Sequence, residues 1–242
     1  MKIVVIVPSR YGSTRFAGKP LALIEGKPMI QRVYEIAKNG KGVSDVVVAT
    51  DDHRIVDAVA RFDGRAIMTG EENRSGTDRV AEAAQKMGLL SDDIVVNIQG
   101  DQPLFVTSHI EDVVRPLTNS SALEMSTLAY KIDKPQERTN SKDCKVTFDY
   151  QGYALYFSRS PIPCARDIDT VFDTYKHLGI YAYTRRFLET FRNLPEGKLE
   201  QIEKLEQLRA VEYGYQIRVV ITEYDSPEVD LPEDIPRIEK TH

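Results

Sequence analysis

A basic loop that contains glycines follows the first apolar run of the sequence and could bind phosphate. Residues 3–7 (IVVIV) lead directly into PSRYGSTRFAGKP, residues 8–20. Arg10, Arg15 and Lys19 offer positive charge and hydrogen-bond donors for phosphate oxygens, and glycines let backbone N–H groups approach a ligand closely. The alternative interpretation is a solvated surface loop with scattered charge.

Two familiar nucleotide-binding loops do not fit this segment. A P-loop has four residues between its glycines and Ser or Thr after its lysine. Here five residues separate Gly12 from Gly18, and Pro20 follows Lys19. The GxGxxG dinucleotide fingerprint is also absent after this run. The sequence therefore excludes a P-loop NTPase and leaves an anion-binding loop of another kind.

An aspartate after the fourth apolar run could bind magnesium. Residues 97–103 read NIQGDQP, so Asp101 follows a predicted strand. The carboxyl ends of parallel strands share one edge of an open sheet, where ligands bind. Magnesium takes a few carboxylates together with phosphate oxygens and waters. Asp101 is therefore a candidate ligand, with an ordinary turn aspartate as the alternative, since Gly, Asp and Pro favour turns.

The run SGTDR, residues 75–79, opens a predicted helix and could also face an anion. A Ser-x-x-Asp pattern is a helix-capping signature. The free N–H groups of a helix N-terminus attract anions, and Arg79 would add charge. A simple helix cap explains the pattern equally well.

Strands and helices alternate in the first half of the chain, which positions these groups. This alternation predicts an α/β fold with an open, mostly parallel sheet and helices on both faces. The second half predicts an antiparallel strand excursion within the same single domain, residues 1–242. Predicted strands are 3–7, 45–50, 65–68, 94–98, 124–132, 144–148, 154–157, 179–184 and 217–221. Predicted helices are 28–38, 51–62, 75–87, 107–117, 185–191, 203–213 and a short one from 232.

Composition excludes several classes of protein. The 242 residues carry a net charge of -5 and are 41% apolar and 29% charged, as in ordinary globular proteins. A mildly acidic chain has no general basic footprint, so we expect no nucleic-acid partner. No apolar run approaches 18 residues, so we expect no membrane span. The two cysteines, Cys144 and Cys164, are expected to be reduced thiols, and we expect a cytoplasmic protein.

Ordered motifs along the chain resemble one enzyme family. They are RYGSTRFAGKPL (10–21), SGTDR (75–79), QGDQP (99–103), YFSRSPIP (156–163), KHLGIYAY (176–183), LEQLRA (205–210) and VDLPED (229–234). Together they resemble the cytidylyltransferases of 3-deoxy-manno-octulosonate (Kdo), the CMP-Kdo synthetases. The stretches QGDQP, YKHLG, AYTRRF and EKLEQLR also resemble a branch that uses the 8-amino analogue of Kdo.

The resemblance implies a reaction, a fold and an assembly. CTP and an acidic octulosonate would give a CMP-sugar and pyrophosphate for lipopolysaccharide biosynthesis, with Mg²⁺ as cofactor. The fold would be a Rossmann-like nucleotidyltransferase fold, and the family usually forms homodimers. No protein-bound intermediate is required.

The resemblance also implies roles for particular residues. Catalysis would involve Arg10, Lys19, Asp101 and Asp230, and the metal ligands would be Asp101 and Asp230. Nucleotide binding would involve Pro8, Ser9, Arg10, Arg15, Lys19, Ser75, Gly76, Arg79, Gln99 and Asp101. Sugar binding would involve Gln99, Arg159, His177, Tyr181, Glu206 and Gln207.

Four positions depart from the usual family pattern, and two other functions stay open. The departures are Ala17, Gln102, Lys176 and Leu231. A nucleotidyltransferase for another acidic sugar, such as a sialic-type acid, is one alternative. A nucleotide-binding regulator that has lost catalysis is the other, although both predicted metal aspartates are present.

Overall fold

The computed structural model describes residues 1–12, 15–167 and 169–240. Ser13 and Thr14, two hydroxyl residues of the basic loop, lie outside the described residues. In the described part of the chain, no helix combines the length and the apolar character that crossing a bilayer requires.

The first half of the chain alternates strands and helices, as predicted. Asp52 caps the second helix by accepting a 2.9 Å hydrogen bond from Arg54 N, and Ser75 caps the third by accepting one of 3.1 Å from Asp78 N. A 3-10 helix at Lys19–Leu21 follows the basic loop. The elements are β1 (Ile3–Ser9), β2 (Leu23–Ile24), β3 (Lys27–Pro28), α1 (Met29–Lys38), β4 (Asp45–Thr50), α2 (His53–Ala60), β5 (Ala66–Met68), α3 (Gly76–Lys86), β6 (Ile94–Asn97) and α4 (Thr107–Asn119).

The second half contains longer strands and shorter helices. The last element is preceded by a 3-10 helix, Pro232–Asp234. The elements are β7 (Met125–Lys131), α5 (Pro135–Thr139), β8 (Lys145–Phe148), β9 (Ala154–Ser158), β10 (Tyr175–Thr184), α6 (Arg185–Asn193), α7 (Lys198–Glu203), α8 (Leu208–Glu212), β11 (Arg218–Thr222) and α9 (Ile235–Glu239).

Both halves contribute to one sheet, with strand order β11-β7-β10-β6-β1-β4-β5. Of the described strands on this path, β10 alone runs against the others, since it pairs antiparallel with both β6 and β7. Off the path, β8 pairs antiparallel with β10 and β9. The predicted mostly parallel sheet with an antiparallel excursion is confirmed.

Helices cover both faces of the sheet because apolar residues of the central strands point alternately to the two sides. In β1, Val4 and Ile6 face a core that contains residues of α3, α6 and α8. Val5 and Val7 face a second core that contains residues of α1, α2 and α4. A strand buried on both faces is what a continuous apolar run predicts.

The helix predicted over 203–213 is wrong, because the chain leaves the helix at Glu203 and enters a new one at Leu208. Lys204 has a left-handed backbone with φ of 54°. The guanidinium of Arg159 donates hydrogen bonds to the carbonyls of Glu203 and Lys204, at 2.8 and 3.4 Å. These long-range bonds end the helix and turn the segment 204–207 across the cavity described below. The predicted end at Gly214, with φ of 79°, is confirmed.

Candidate active site

The basic loop borders a cavity of about 360 Å³ at the carboxyl ends of β1 and β6. Parallel strands place this edge where open α/β sheets bind ligands. Most of the predicted nucleotide-binding residues meet here. The cavity is lined by Pro8, Ser9, Arg10, Gly12, Arg15, Lys19, Pro20, Gly76, Gln99, Gly100 and Asp101.

The loop is shaped by Gly18, whose φ of 72° suits glycine. Its N–H donates to the carbonyl of Tyr11 at 2.9 Å, and a Cβ there would lie 3.2 Å from the Tyr11 ring. The guanidinium of Arg54 covers that ring, 3.3 Å from its centroid. The 3-10 helix begins directly after this fixed turn, at Lys19.

Gly100 lets the turn after β6 approach β1. A Cβ at Gly100 would lie 2.6 Å from the Ser9 hydroxyl oxygen and 3.3 Å from the Pro8 carbonyl. The Ser9 hydroxyl is buried and has no hydrogen-bond partner among the described residues. It is therefore a polar group available to a ligand in this cavity.

Lys19 lies between the two predicted metal aspartates. Its ammonium is 2.5 Å from Asp101 Oδ2 and 3.9 Å from Asp230 Oδ1. Arg15 forms a bidentate pair with Asp230, at 3.0 and 3.1 Å. The N–H of Val229 donates to the Asp101 carbonyl at 2.9 Å, which joins the two aspartate-bearing segments. The structure thus brings together residues that lie more than 200 positions apart in the sequence.

The two aspartates fit a magnesium ion that also binds substrate. Asp101 Oδ1 is buried and has no hydrogen-bond partner in the part of the chain that the structure describes, so one carboxylate oxygen is available as a ligand. Among the described residues, no group of three or more His, Cys, Asp or Glu side chains could hold a metal by itself. A divalent ion would thus need oxygens from phosphate and water, which is the usual coordination of magnesium.

The N-terminus of α3 borders both cavities of the site. Gly76 and Gln99 line the smaller and the larger cavity, and Ser75 caps the helix between them. Arg10 lines the smaller cavity, with its guanidinium donating to the Asn73 carbonyl at 3.1 Å. Three of these four residues with predicted nucleotide roles therefore line the smaller cavity, namely Arg10, Gly76 and Gln99, and Ser75 precedes Gly76 without lining it.

Arg79 does not line either cavity. Its guanidinium is fully buried and donates to the hydroxyl of Thr69 and to the carboxylate of Asp51, both at 2.5 Å. These bonds join α3 to the segments that follow β4 and β5. The geometry therefore assigns Arg79 a structural contact, and it offers no support for the phosphate role that the sequence predicted.

A larger cavity of about 1420 Å³ adjoins the first, and Arg15, Gly76 and Gln99 line both. Asp230 also lines the larger cavity, beside the Lys19 cluster. All the predicted sugar-binding residues border this space. They are Gln99, Arg159, His177, Tyr181, Glu206 and Gln207.

His177 is a neutral hydrogen-bonding group in the wall of this cavity. The Thr127 hydroxyl donates to the Ile180 carbonyl at 2.8 Å, so it must accept the 2.9 Å bond from His177 Nε2–H. Burial lowers the pKa of His177 to about 3. Nδ1 is then unprotonated and can accept a hydrogen bond. Burial also raises the pKa of the neighbouring Tyr181, which stays a neutral phenol.

Glu206 and Gln207 face the cavity from the segment between α7 and α8. The Thr77 hydroxyl donates to Glu206, and burial raises the pKa of Glu206. Gln207 is buried, with Nε2 3.9 Å from the sulfur of Cys144. Burial raises the pKa of the Cys144 thiol to about 12, so this cysteine is an inert wall residue.

Sequence reasoning missed several groups of the larger cavity. Glu228 lines it, and removal from bulk water together with the charges of Asp101 and Asp230 raises the pKa of Glu228 to about 8. Lys176 forms a 2.7 Å ion pair with Asp225. Only the proximity of Glu228 to Asp230 in the sequence could have drawn attention to it.

The departure at Gln102 has a structural explanation. The side chain is fully buried, and Nε2 donates to the Leu178 carbonyl at 2.5 Å. That carbonyl lies at an irregularity of β10 between His177 and Tyr181, where Gly179 has φ of 67°. Gln102 therefore links the Asp101 turn to the strand that carries two predicted sugar contacts.

Comparisons with known proteins show which family the chain resembles. The family model described as Cytidylyltransferase matches residues 4–219. The 3-deoxy-manno-octulosonate cytidylyltransferase of Desulfosudis oleivorans is 65% identical over 99% of this chain and 96% of its own length. The 8-amino-3,8-dideoxy-manno-octulosonate cytidylyltransferase of Shewanella amazonensis is 54% identical over 99% of this chain and 98% of its own.

Solved structures give the same result. A CMP:2-keto-3-deoxy-manno-octonic acid synthetase complexed with CTP superposes with a TM-score of 0.93 and 41% identity, covering 100% of this chain and 98% of that one. A 4-diphosphocytidyl-2C-methyl-D-erythritol synthase has a TM-score of 0.67 at 11% identity, covering 99% of this chain and 97% of that one, a likeness of fold alone.

Proposed function

The chain belongs to the cytidylyltransferase family, and on that premise we propose that its two adjoining cavities hold CTP and a 3-deoxy-octulosonic acid. The enzyme couples the two into a CMP-sugar, for lipopolysaccharide biosynthesis, and releases pyrophosphate. One observation carries the proposal. The pair Asp101 and Asp230, bridged by Lys19, stands beside both the phosphate loop and the cavity with the predicted sugar contacts.

The reaction is a displacement at phosphorus. The anomeric hydroxyl of the sugar attacks the α-phosphorus, and the bond from that phosphorus to the bridging oxygen of pyrophosphate breaks. The hydroxyl proton leaves to solvent or to the phosphate oxygens. Arg10 and Lys19, which line the smaller cavity, stabilise the charge that develops on the departing phosphates.

Magnesium would be held by Asp101 and Asp230. When bound, it would neutralise phosphate charge and make the sugar hydroxyl more acidic. The chain's own contribution is to keep the two carboxylates together, through the Val229–Asp101 backbone bond and through Asp234, which accepts from the Asp230 and Leu231 N–H groups at 2.9 Å.

The sugar site recognises hydroxyls mainly through neutral or acceptor groups. His177 Nδ1 accepts a hydrogen bond, and the phenol of Tyr181 remains protonated. Glu206 and Gln207 reach the same cavity from the segment between α7 and α8. Arg159 offers positive charge toward the sugar carboxylate. Its hydrogen bonds with described residues occupy three of its five N–H groups, all on backbone carbonyls, and leave two.

We further propose that the protein acts as a homodimer in the cytoplasm, where CTP is made. The exposed apolar side chains of Leu155 on β9 and Ile221 on β11, 59% and 50% exposed, support a partner surface. Light scattering after size-exclusion chromatography tests the dimer. A monomeric mass at micromolar concentration would contradict it.

Pyrophosphate release in the presence of magnesium tests the proposed function. The substrates are CTP with Kdo, with its 8-amino analogue, or with a sialic-type acid, and UTP replaces CTP as the control. We expect release with CTP and an octulosonate, and the ratio of kcat/KM for the two octulosonates identifies the preferred sugar. Turnover with the sialic-type acid alone would indicate another sugar specificity. CTP binding without any turnover would indicate a nucleotide-binding regulator.

A further inference from the structure

Lys145, the first residue of β8, has an unusual environment for a lysine. Its side chain is 0% exposed. Among the described residues, no carboxylate forms an ion pair with it. Its ammonium instead donates to three backbone carbonyls, of Asn140 at 2.8 Å, Asp143 at 2.5 Å and Arg159 at 2.7 Å. All three donors of the ammonium are therefore used.

Burial of an ammonium group without an ion-pair partner lowers the stability of the folded protein. Desolvation of the charge opposes folding, and an apolar side chain of similar volume is often as stable or more stable at such a position. The same burial lowers the pKa of Lys145. An apolar side chain such as methionine could not donate to the three converging carbonyls, which would be left without hydrogen-bond partners.

The three carbonyls belong to two segments that border the larger cavity. Asn140 and Asp143 lie in the loop before β8, and Arg159 follows β9; all three line the cavity. Lys145 thus fixes the backbone of Arg159 against the loop at 140–143.

Arg159 extends this connection to a third segment. Its guanidinium donates to the Ser141 carbonyl at 3.1 Å, and to the carbonyls of Glu203 and Lys204. Those carbonyls end α7 and precede Glu206 and Gln207. Two cations therefore join the loop 140–143, the end of β9 and the segment 203–207 through backbone carbonyls.

We propose that Lys145 is a positioning residue for the sugar half of the active site. It acts through Arg159 and the backbone of these three segments, and it leaves the CTP half unaffected because none of them lines the smaller cavity. This inference rests on the proposed function, since it assigns the larger cavity to the sugar.

The test uses the full-length enzyme with Lys145→Met, which keeps the length of the side chain and removes its charge and donors. We expect the KM for the octulosonate to rise about 10- to 100-fold, because small misplacements of binding groups have effects of this size. The KM for CTP should stay within about twofold. Lys131→Met is the matched control, since Lys131 is exposed on β7, which pairs with β10 as β8 does, and forms an ion pair with Asp173 at 2.8 Å. Both KM values of this control should stay unchanged.

Hydrogen–deuterium exchange provides a readout that does not depend on the reaction. Lys145→Met should exchange faster in peptides covering 139–144 and 203–207, with α1 (residues 29–38) unchanged. If Lys145→Met exchanges faster but the wild type is inactive toward every octulosonate, the proposed function is overturned. The connection of the three segments by Lys145 and Arg159 is not overturned by that result. Unchanged exchange and an unchanged sugar KM would overturn the positioning role. If Lys145→Met does not fold, Lys145→Gln removes the charge and one of the three donors. Faster exchange in peptides 139–144 and 203–207 of that variant, together with a wild-type sugar KM, would overturn the role.

Discussion

Replacing Asp101 by asparagine tests the core of the proposed mechanism. The asparagine keeps the shape of the side chain and can still accept a hydrogen bond from Lys19, but it removes one negative charge. The side chains of Lys19 and Asp101 are 14% and 22% exposed, so charges here are only partly screened. At an effective dielectric constant near 20, a unit charge about 4 Å away contributes roughly 4 kcal/mol.

If most of that energy acts in the transition state, kcat should fall by about 10²- to 10³-fold. The free energy of unfolding should change by less than about 1 kcal/mol, because asparagine keeps the hydrogen bond from Lys19 and the lost charge also relieves the repulsion between Asp101 and Glu228. Pyrophosphate release under saturating CTP and sugar measures the first quantity, and urea unfolding measures the second. Asp45→Asn is the control, because Asp45 pairs with Arg65 at the opposite, amino end of β4.

The reasoning would be refuted by an Asp101→Asn enzyme with kcat within tenfold of the wild type. A large loss of stability would also contradict it, because Asp101 would then have a structural role. A comparable loss of activity in Asp45→Asn would show that the assay reports charge in general.

Three other substitutions separate structural from functional contacts. Hydrogen bonds and an ion pair lower the pKa of Glu82 to about 2 despite burial. Glu82→Gln should therefore lower the free energy of unfolding by about 1–3 kcal/mol at pH 7. This loss of stability, measured by urea unfolding, should shrink as the pH falls from about 4.5 toward 2. Arg79→Lys should lower the free energy of unfolding by about 2–4 kcal/mol, because it disturbs the ion pair with Asp51, and should leave the KM for CTP unchanged. A raised KM for CTP at unchanged stability would support the predicted phosphate role of Arg79. Gln102→Met should leave the Leu178 carbonyl unpaired, which costs about 1–3 kcal/mol in urea unfolding and raises the sugar KM; identical unfolding curves would contradict the link.

Local patterns predicted most of the fold. The apolar run at Asp45–Thr50 is a strand over the predicted residues, and Asp52 and Ser75 cap helices as their positions indicate. These features depend on burial of neighbouring residues and on short-range hydrogen bonds. The break between Glu203 and Leu208 was missed because carbonyls there are captured by Arg159, which lies more than 40 residues away.

In the site too, local patterns predicted the position of some residues, whereas contacts that depend on long-range packing were not predicted. The basic loop and Asp101 were predicted from chemistry near strand ends, and the structure places them together. The phosphate role predicted for Arg79 has no support in the structure, where Arg79 donates to Asp51. The sequence of a helix start is the same whether its arginine contacts a ligand or a buried aspartate. The sequence contains no signal that pairs Lys176 with Asp225, since that contact depends on how β10 and the segment after β11 meet.

The proximity of Asp101 and Asp230 also affects when the protein becomes competent during synthesis. Strands β1 to β6 end at Asn97 and are therefore synthesised early, but a domain generally folds as a unit. Asp230 returns to this early part through its contacts with Arg15 and Lys19. Val229, Ile238 and the hairpin residue Ile24, which pack together, hold the returning segment in place. A nascent chain that holds only strands β1 to β6 therefore lacks the second carboxylate. A chain released from the ribosome before residue 230 would lack one of the two proposed magnesium ligands.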